Sequence, residues 1–155
     1  MIDQKLQTVL KGFPGKRVLI VGDVMLDEYI WGEVNRISPE APVPVVEMVT
    51  RTYAPGGAAN TSANISGLEG KAYLVGVIGE DIQANIFREA VEEIGVNVDG
   101  LIHDMDRPTT TKTRIVASSQ QVVRVDMETQ QPISHETEKR LLDWCRGQMP
   151  DIDSC

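Results

Sequence analysis

Two aspartates, Asp23 and Asp27, follow directly on a short apolar run in the segment KRVLIVGDVMLDEY. Ligands of open α/β sheets sit outside the carboxyl ends of the strands, so carboxylates placed there could accept hydrogen bonds from a polyhydroxylated ligand. A turn aspartate plus an exposed one accounts for the same spacing. Farther on, Gly56-Gly57-Ala58-Ala59-Asn60 puts paired glycines ahead of a run of small residues. Glycines permit close backbone approach. A helix opening there presents free N–H groups, and Asn60 in its first turn adds a donor and an acceptor. That start suits sugar hydroxyls or an oxyanion, although Gly-Gly turns into helices also occur without ligands. It is not a Walker A loop, and GDVMLD does not supply a dinucleotide fingerprint after the first strand. The third group is cationic. Lys112 and Arg114 are two apart, hence on one face of a strand, and Arg124 lies on the next β-prone run. In a chain of net charge −8, three cations on one hairpin could form a phosphate site, with arginine suited to bidentate contacts. The alternative is a solvated strand face paired with Asp104, Asp106, Asp126 and Glu128.

The elements that must position these residues follow from the pattern. Lys16–Gly22 is β-branched and unalternating, as in a strand buried on both faces. Strands are expected at about Glu28–Val34 and Val43–Val49, around the loop SPEAPVP, whose Pro39, Pro42 and Pro44 argue for an edge or a projecting flap. A Pro-Gly-Gly turn then opens a helix of small residues closed by Gly70. Ala72–Ile78 is a second buried strand. Asp81 caps a helix whose apolar row is read as Ile82, Ile86, Ala90 and Ile94, ending at Gly95. Val96–His103 offers a further strand, and Thr109–Ala117 and Gln120–Asp126 form a hairpin across Ser118-Ser119. Ser134 caps a helix carrying Leu141, Leu142, Cys145 and Met149, with Trp144 and Cys145 read as core; Pro150 ends it, and Ile152 starts the approach to another strand. Strands alternating with helices predict a mainly parallel α/β sheet. The flap and the hairpin break that rhythm and are expected to pair as a small second sheet.

Composition narrows the function. With 41% hydrophobic and 25% charged residues the chain is a globular protein, large enough for one core. Its acidity argues against a nucleic-acid partner. No apolar run approaches ~20 residues, so no membrane span is expected. The amino terminus reads as a short amphipathic helix with Ile2, Leu6, Val9 and Leu10, not as a secretory signal. Cys145 and Cys155 suit reduced thiols in a cytoplasmic protein. His103 and His135 have no partner at metal-ligand spacing, so no metal site is expected.

These residues together resemble the ribokinase (PfkB) family of carbohydrate kinases. PGGAANTSANISGLEGKAYLVGVIGED carries the resemblance, with its Gly-Gly, an Asn three residues on, and a strand ending in Gly and an acidic residue. VGDVMLDEY, RISPEAPVPVVE, RPTTTKTRI and QQVVRVD are similar to the heptose-7-phosphate kinases of that family, which serve ADP-heptose and lipopolysaccharide precursor synthesis. The resemblance implies a Rossmann-like fold, residues 1–155 forming its N-terminal part, with lid segments at about 28–50 and 109–127 and a possible homodimer through the lid. It implies that Asp27, with Asp23 beside it, holds sugar hydroxyls. Gly56, Gly57 and Asn60 would form the sugar-binding turn, and Lys112, Arg114 and Arg124 would face a sugar phosphate. ATP and Mg2+ would be cofactors of the complete enzyme, neither bound strongly by this chain. Family members carry their catalytic base in a Gly-Ala-Gly-Asp segment, and this sequence contains none, so phosphoryl transfer by the chain alone is not expected. A non-catalytic, lid-mediated dimer or sugar-phosphate binding module is the alternative.

Overall fold

A computed structural model describes residues 4–155. Its elements, in order, are α1 (Gln4–Lys11), β1 (Arg17–Val21), β2 (Val24–Ile37), β3 (Pro44–Gly57), α2 (Ala58–Gly67), β4 (Lys71–Ile78), α3 (Ile82–Glu92), β5 (Asn97–His103), β6 (Thr111–Ala117), β7 (Gln120–Met127) and α4 (His135–Gln148), closed by a 3-10 turn at Met149–Asp151. The unalternating apolar strands β1, β4 and β5 make a parallel sheet in the order β1-β4-β5. The two expected interruptions join as a second sheet, β3-β2-β6-β7, in which β2 pairs antiparallel with β3 and parallel with β6. Pro44 opens β3, an edge strand, where a missing N–H costs no ladder bond. The β6–β7 hairpin turns at Ser118 and Ser119, both with positive φ (50° and 64°). Successive left-handed residues match the right-handed twist of the flanking strands.

Several boundaries differ from the sequence reading, each for a physical reason. β2 and β3 run 14 residues each, far past the expected segments, because each supplies the other's hydrogen-bond partners from Val24↔Gly57 to Ile37↔Pro44. The Pro-Gly-Gly turn is therefore the end of a strand, and the chain passes into α2 through Gly57 alone. α2 ends at Gly67, and the left-handed residue after it is Glu69 (φ 62°); Gly70 is required instead by close packing, since a Cβ there would lie 2.8 Å from Ile65 Cγ2. Along α3 the buried face centres on Ala84, Phe87 and Val91; of the expected row, Ile86 packs against the core and Ala90 is half-buried, while Ile82 and Ile94 are exposed. An i, i+3, i+7 stripe faces the sheet, and Ile82 is left 73% exposed. On α4 only Thr137 is buried; Leu142 and Met149 are exposed, and Trp144 is half-buried against Gly100. In α1, Leu6, Val9 and Leu10 are exposed, and Ile2 lies outside the described residues. Past α4, Ser154 makes a single parallel bridge to Val18 on the free edge of β1, and the Asp153 carboxylate is held by Lys16 and the Arg17 amide.

One core joins the sheets. Leu26 on β2, Leu74 and Ile78 on β4, and Phe87 on α3 are all essentially inaccessible and belong to one cluster. Asp81 ties the start of α3 to the strand that carries the hairpin: its carboxylate accepts from the Ala84 amide and from the Thr109 amide, each at 2.8 Å. Thr109 Oγ1 in turn accepts from the Gly79 amide at 2.9 Å. Burial pushes the Asp81 carboxyl up, but the hydrogen bonds from Thr109 and Ala84 outweigh it and leave it below the ordinary aspartate range.

Phe87→Ala is expected to destabilise the chain by about 3–5 kcal/mol, and Ile82→Ala by less than about 0.5 kcal/mol, in urea unfolding. A group ionised more readily in the folded state stabilises above its unfolded pKa, near 3.9 for aspartate, and loses that contribution as the pH falls through its lower folded value. Asp81→Asn should therefore flatten the loss of stability below about pH 4, measured as urea midpoints across pH 2.5–6.

Candidate functional site

β1 ends at Val21, and Gly22 and Asp23 lead straight into β2 at the carboxyl end of the parallel sheet. β3 returns along β2 and brings Gly56 and Gly57 back beside the same residues. The approach is close. A Cβ on Gly57 would lie 2.3 Å from the Asp23 carbonyl oxygen, and one on Gly56 would lie 2.7 Å from Met25 Cγ and 3.0 Å from Asp27 Oδ2. Gly57 also has φ 58°, a left-handed conformation that favours glycine. The Ala58 amide donates to the Asp23 carbonyl at 2.9 Å, which locks the start of α2 onto the turn after β1. Asn60 sits in the first turn of α2, exposed, and its side-chain amide has no hydrogen-bond partner among the described residues. The exposed Asp23 carboxylate is likewise free among them.

The hairpin supplies the facing wall. Parallel pairing sets Asp27 beside Lys112 and Tyr29 beside Arg114. Arg114 Nη1 donates to Asp27 Oδ1 at 2.5 Å, and its guanidinium carbon lies 5.2 Å from the centre of the Tyr29 ring. Tyr29 stacks on Trp31, whose Nε1 donates to Thr52 Oγ1 at 3.0 Å. Lys112 Nζ donates to Asp126 at 3.0 Å and to Glu128, and Arg124 donates to Asp126 at 2.8 and 3.1 Å. Each ion is biased by its partners. Glu128 and then Asp126 raise the Lys112 ammonium, Asp27 raises the Arg114 guanidinium, and Lys112 holds both Asp126 and Glu128 below their ordinary range.

A cleft of about 650 Å³ opens between the two sheets, against Gly22, Asp23, Met25, Gly76, Lys112 and Glu128. Of the eight residues singled out in the sequence, Asp23 and Lys112 line the cleft directly. Asp27, Gly56 and Arg114 form one contact group next to it through Met25, and Gly57 joins Asp23. Arg124 stands on the outer strand, reaching Asp126 and not the cleft. The hairpin's cations are not an open anion site, because Lys112, Arg114 and Arg124 are each in a salt bridge with Asp126, Glu128 or Asp27. Neither Asp104 nor Asp106 takes part; Asp104 instead accepts from Thr137 at 3.0 Å and pairs with Arg107 at 3.7 Å. Sequence reasoning missed Arg107, which lines the cleft and donates to the Gln131 carbonyl at 2.8 Å, and it missed the Tyr29–Trp31 stack, whose signal was only two aromatics at strand spacing. Among the described residues no three His, Cys, Asp or Glu side chains converge as a metal site, and no helix is long and apolar enough to cross a membrane.

A parallel α/β sheet with a second sheet over its carboxyl end, and a Gly-Gly-to-helix junction beside a strand aspartate, defines the class of ribokinase-fold sugar kinases. Residues 16–146 match the pfkB family of carbohydrate kinases, and the chain belongs to that family. It is 43% identical over 138 residues to the bifunctional protein HldE of Helicobacter pylori strain P12, covering 89% of this chain and 30% of that protein. HldE of Wolinella succinogenes is 44% identical over 137 residues, covering 88% of this chain and 29% of that protein. The chain thus spans less than a third of the length of these curated relatives. Among solved structures, a carbohydrate kinase from Agrobacterium tumefaciens superposes with a TM-score of 0.59 at 23% identity, covering 72% of this chain and 35% of that one. The Arabidopsis thaliana ribokinase complexed with ribose and ATP gives 0.57 at 24% identity, covering 74% of this chain and 36% of that one.

The two glycines separate by effect. Gly57→Ala forces a left-handed alanine against a carbonyl oxygen and should cost at least about 1–2 kcal/mol in urea unfolding. Gly56→Ala meets only the flexible Met25 side chain and the Asp27 carboxylate, so a smaller loss is expected, with a displaced Asp27 visible in a crystal structure of the variant.

Proposed function

We propose that this chain is the sugar-binding side of a carbohydrate kinase whose substrate is a heptose 7-phosphate, phosphorylated with ATP in ADP-heptose and lipopolysaccharide precursor synthesis. The observation that carries the reading is the junction of Asp27 and Gly56-Gly57 beside Lys112 at the edge of the cleft, with Asn60 in the first turn of the helix that Gly57 opens. Asp27 and Asp23 accept hydrogen bonds from sugar hydroxyls, and Asn60 both donates and accepts. The absence of side chains at Gly56 and Gly57 lets the end of β3 pass close to Asp23 and Asp27, which sets the start of α2 beside the aspartates. The hairpin that carries Lys112, Arg114 and Arg124 is the cationic wall of the site, and Lys112, which lines the cleft, meets a sugar phosphate once that phosphate competes with Asp126 and Glu128. The similarity to HldE proteins supports the choice of heptose over other sugars.

In the overall transfer a sugar hydroxyl oxygen attacks the γ-phosphorus of ATP, its proton passes to a base, and ADP leaves. The residues described here bind and orient the acceptor. The sequence holds no Gly-Ala-Gly-Asp segment to act as base or anion hole. A second reading is a lid-mediated homodimer without catalysis of its own. It is supported by Val123, Val125 and Met127 on β7 and Met48 and Val49 on β3, all exposed on the outer strands of the second sheet.

Calorimetric titration of the chain with heptose 7-phosphate should show binding, while a coupled ATP assay with the same sugar shows negligible turnover. Asn60→Ala should weaken that binding about 3–10-fold, the equivalent of one neutral hydrogen bond, with an unchanged melting temperature. A variant that melts earlier but binds as before would make Asn60 a structural residue. A dimer in light scattering with no response to the sugar phosphate would favour the second reading.

A further inference from the structure

Arg114 is held from three sides. Its Nη1 donates to Asp27 Oδ1 at 2.5 Å and to the Lys112 carbonyl at 3.3 Å, and its guanidinium lies over the Tyr29 ring at 5.2 Å. Tyr29 is itself fixed by its stack on Trp31, which Thr52 anchors. The reach is diagonal: Asp27 is paired in register with Lys112, and Arg114 with Tyr29, so the guanidinium folds back along β6 to meet the carboxylate. Both side chains are largely shielded, at 22% and 19% exposure. A carboxylate offers about four acceptor positions and Arg114 occupies one of them. Oδ2 faces the place where Gly56 has no side chain, and it accepts from no donor among the described residues.

We infer that Arg114 is a positioning residue that orients Asp27 for the sugar hydroxyls, and that it is not the ligand of the substrate's phosphate. The inference rests on the reading of Asp27 as a sugar ligand. Arg114 uses only Nη1, and a phosphate taken up by its remaining Nε and Nη2 donors would set a second anion beside the shielded Asp27 carboxylate, which like charge disfavours. Lys112 is placed differently. Lys112 is itself 14% exposed, but its partners Asp126 and Glu128, at 27% and 30%, are nearer to water than Asp27 at 19%, so they are displaced at less cost and the phosphate falls to Lys112 at the cleft.

A phosphate ligand and a positioning residue differ in which sugars they serve. Calorimetric titrations of the chain with heptose 7-phosphate and with the unphosphorylated heptose, in wild type and in Arg114→Gln, separate the two. Arg114→Gln is expected to weaken both sugars by the same factor, about tenfold, and to have little further effect in an Asp27→Asn background, since the two residues act as one unit. Arg114→Lys keeps the charge without the planar contact on Tyr29 and should recover part of the affinity for both sugars. A loss confined to heptose 7-phosphate would overturn the inference and make Arg114 a phosphate ligand. Unchanged affinity for both, or a lowered melting temperature with unchanged affinities, would overturn it in favour of a purely structural pair. If the wild-type chain binds neither sugar, the substrate reading fails first, and the ligand-free protein then decides the inference. Arg114→Gln should shift the carboxyl carbon resonance of Asp27 while leaving the Lys112 ammonium resonance in place; an unmoved Asp27 resonance overturns it.

Discussion

Everything at the site depends on how closely the end of β3 passes the start of β2. No side chain fits where Gly57 crosses the Asp23 carbonyl, and none fits at Gly56 without displacing Met25 or Asp27. That contact lets two 14-residue strands stay paired to their last residues and then hand the chain directly to α2. The helix start, the strand aspartate and the turn aspartate are brought together by backbone proximity, with the Ala58 amide on the Asp23 carbonyl as the fastening bond. Any bulkier residue would push the helix away from the aspartates it accompanies.

The second constraint is electrostatic. A chain with net charge −8 cannot keep three cations bare on a four-stranded sheet, and it does not. Lys112 and Arg124 share Asp126, and Arg114 turns inward to Asp27. The shielded pair costs desolvation on both sides, which the mutual hydrogen bond and the Tyr29 face offset. The Arg124–Asp126 pair on β7, with the guanidinium half exposed, contributes little to stability, whereas Lys112 is shielded between Asp126 and Glu128. The same sheet therefore carries one ion pair next to the glycines and a second group around Asp126 that opens to water at Arg124.

The main elements were legible because their causes are local. β1 and β4 show continuous apolar runs, Asp81 and Ser134 are caps with side-chain bonds to Ala84 and Thr137, and the β-prone runs on either side of Ser118-Ser119 read as a hairpin. Where the cause was not local the reading slipped. In the α3 row, Ile86 packs at the margin of the core, but Ile82 and Ile94 are exposed and the centre of the buried face is Ala84, Phe87 and Val91. The lengths of β2 and β3 depend on each other's hydrogen bonds, which neither segment reveals alone.

The sequence by itself determined the fold class, the edge position of the proline-bearing strand and the membership of a carbohydrate-kinase family. Those properties reside in residue type and spacing: glycines where a backbone must approach, prolines where a donor is dispensable, and carboxylates at a strand end. Only the tertiary structure decided which charges meet. Asp27 and Arg114 are 87 residues apart and become partners because β2 and β6 lie side by side in parallel register. The diagonal fold of a long guanidinium onto a neighbouring strand is a matter of three-dimensional reach, and no spacing along the chain encodes it.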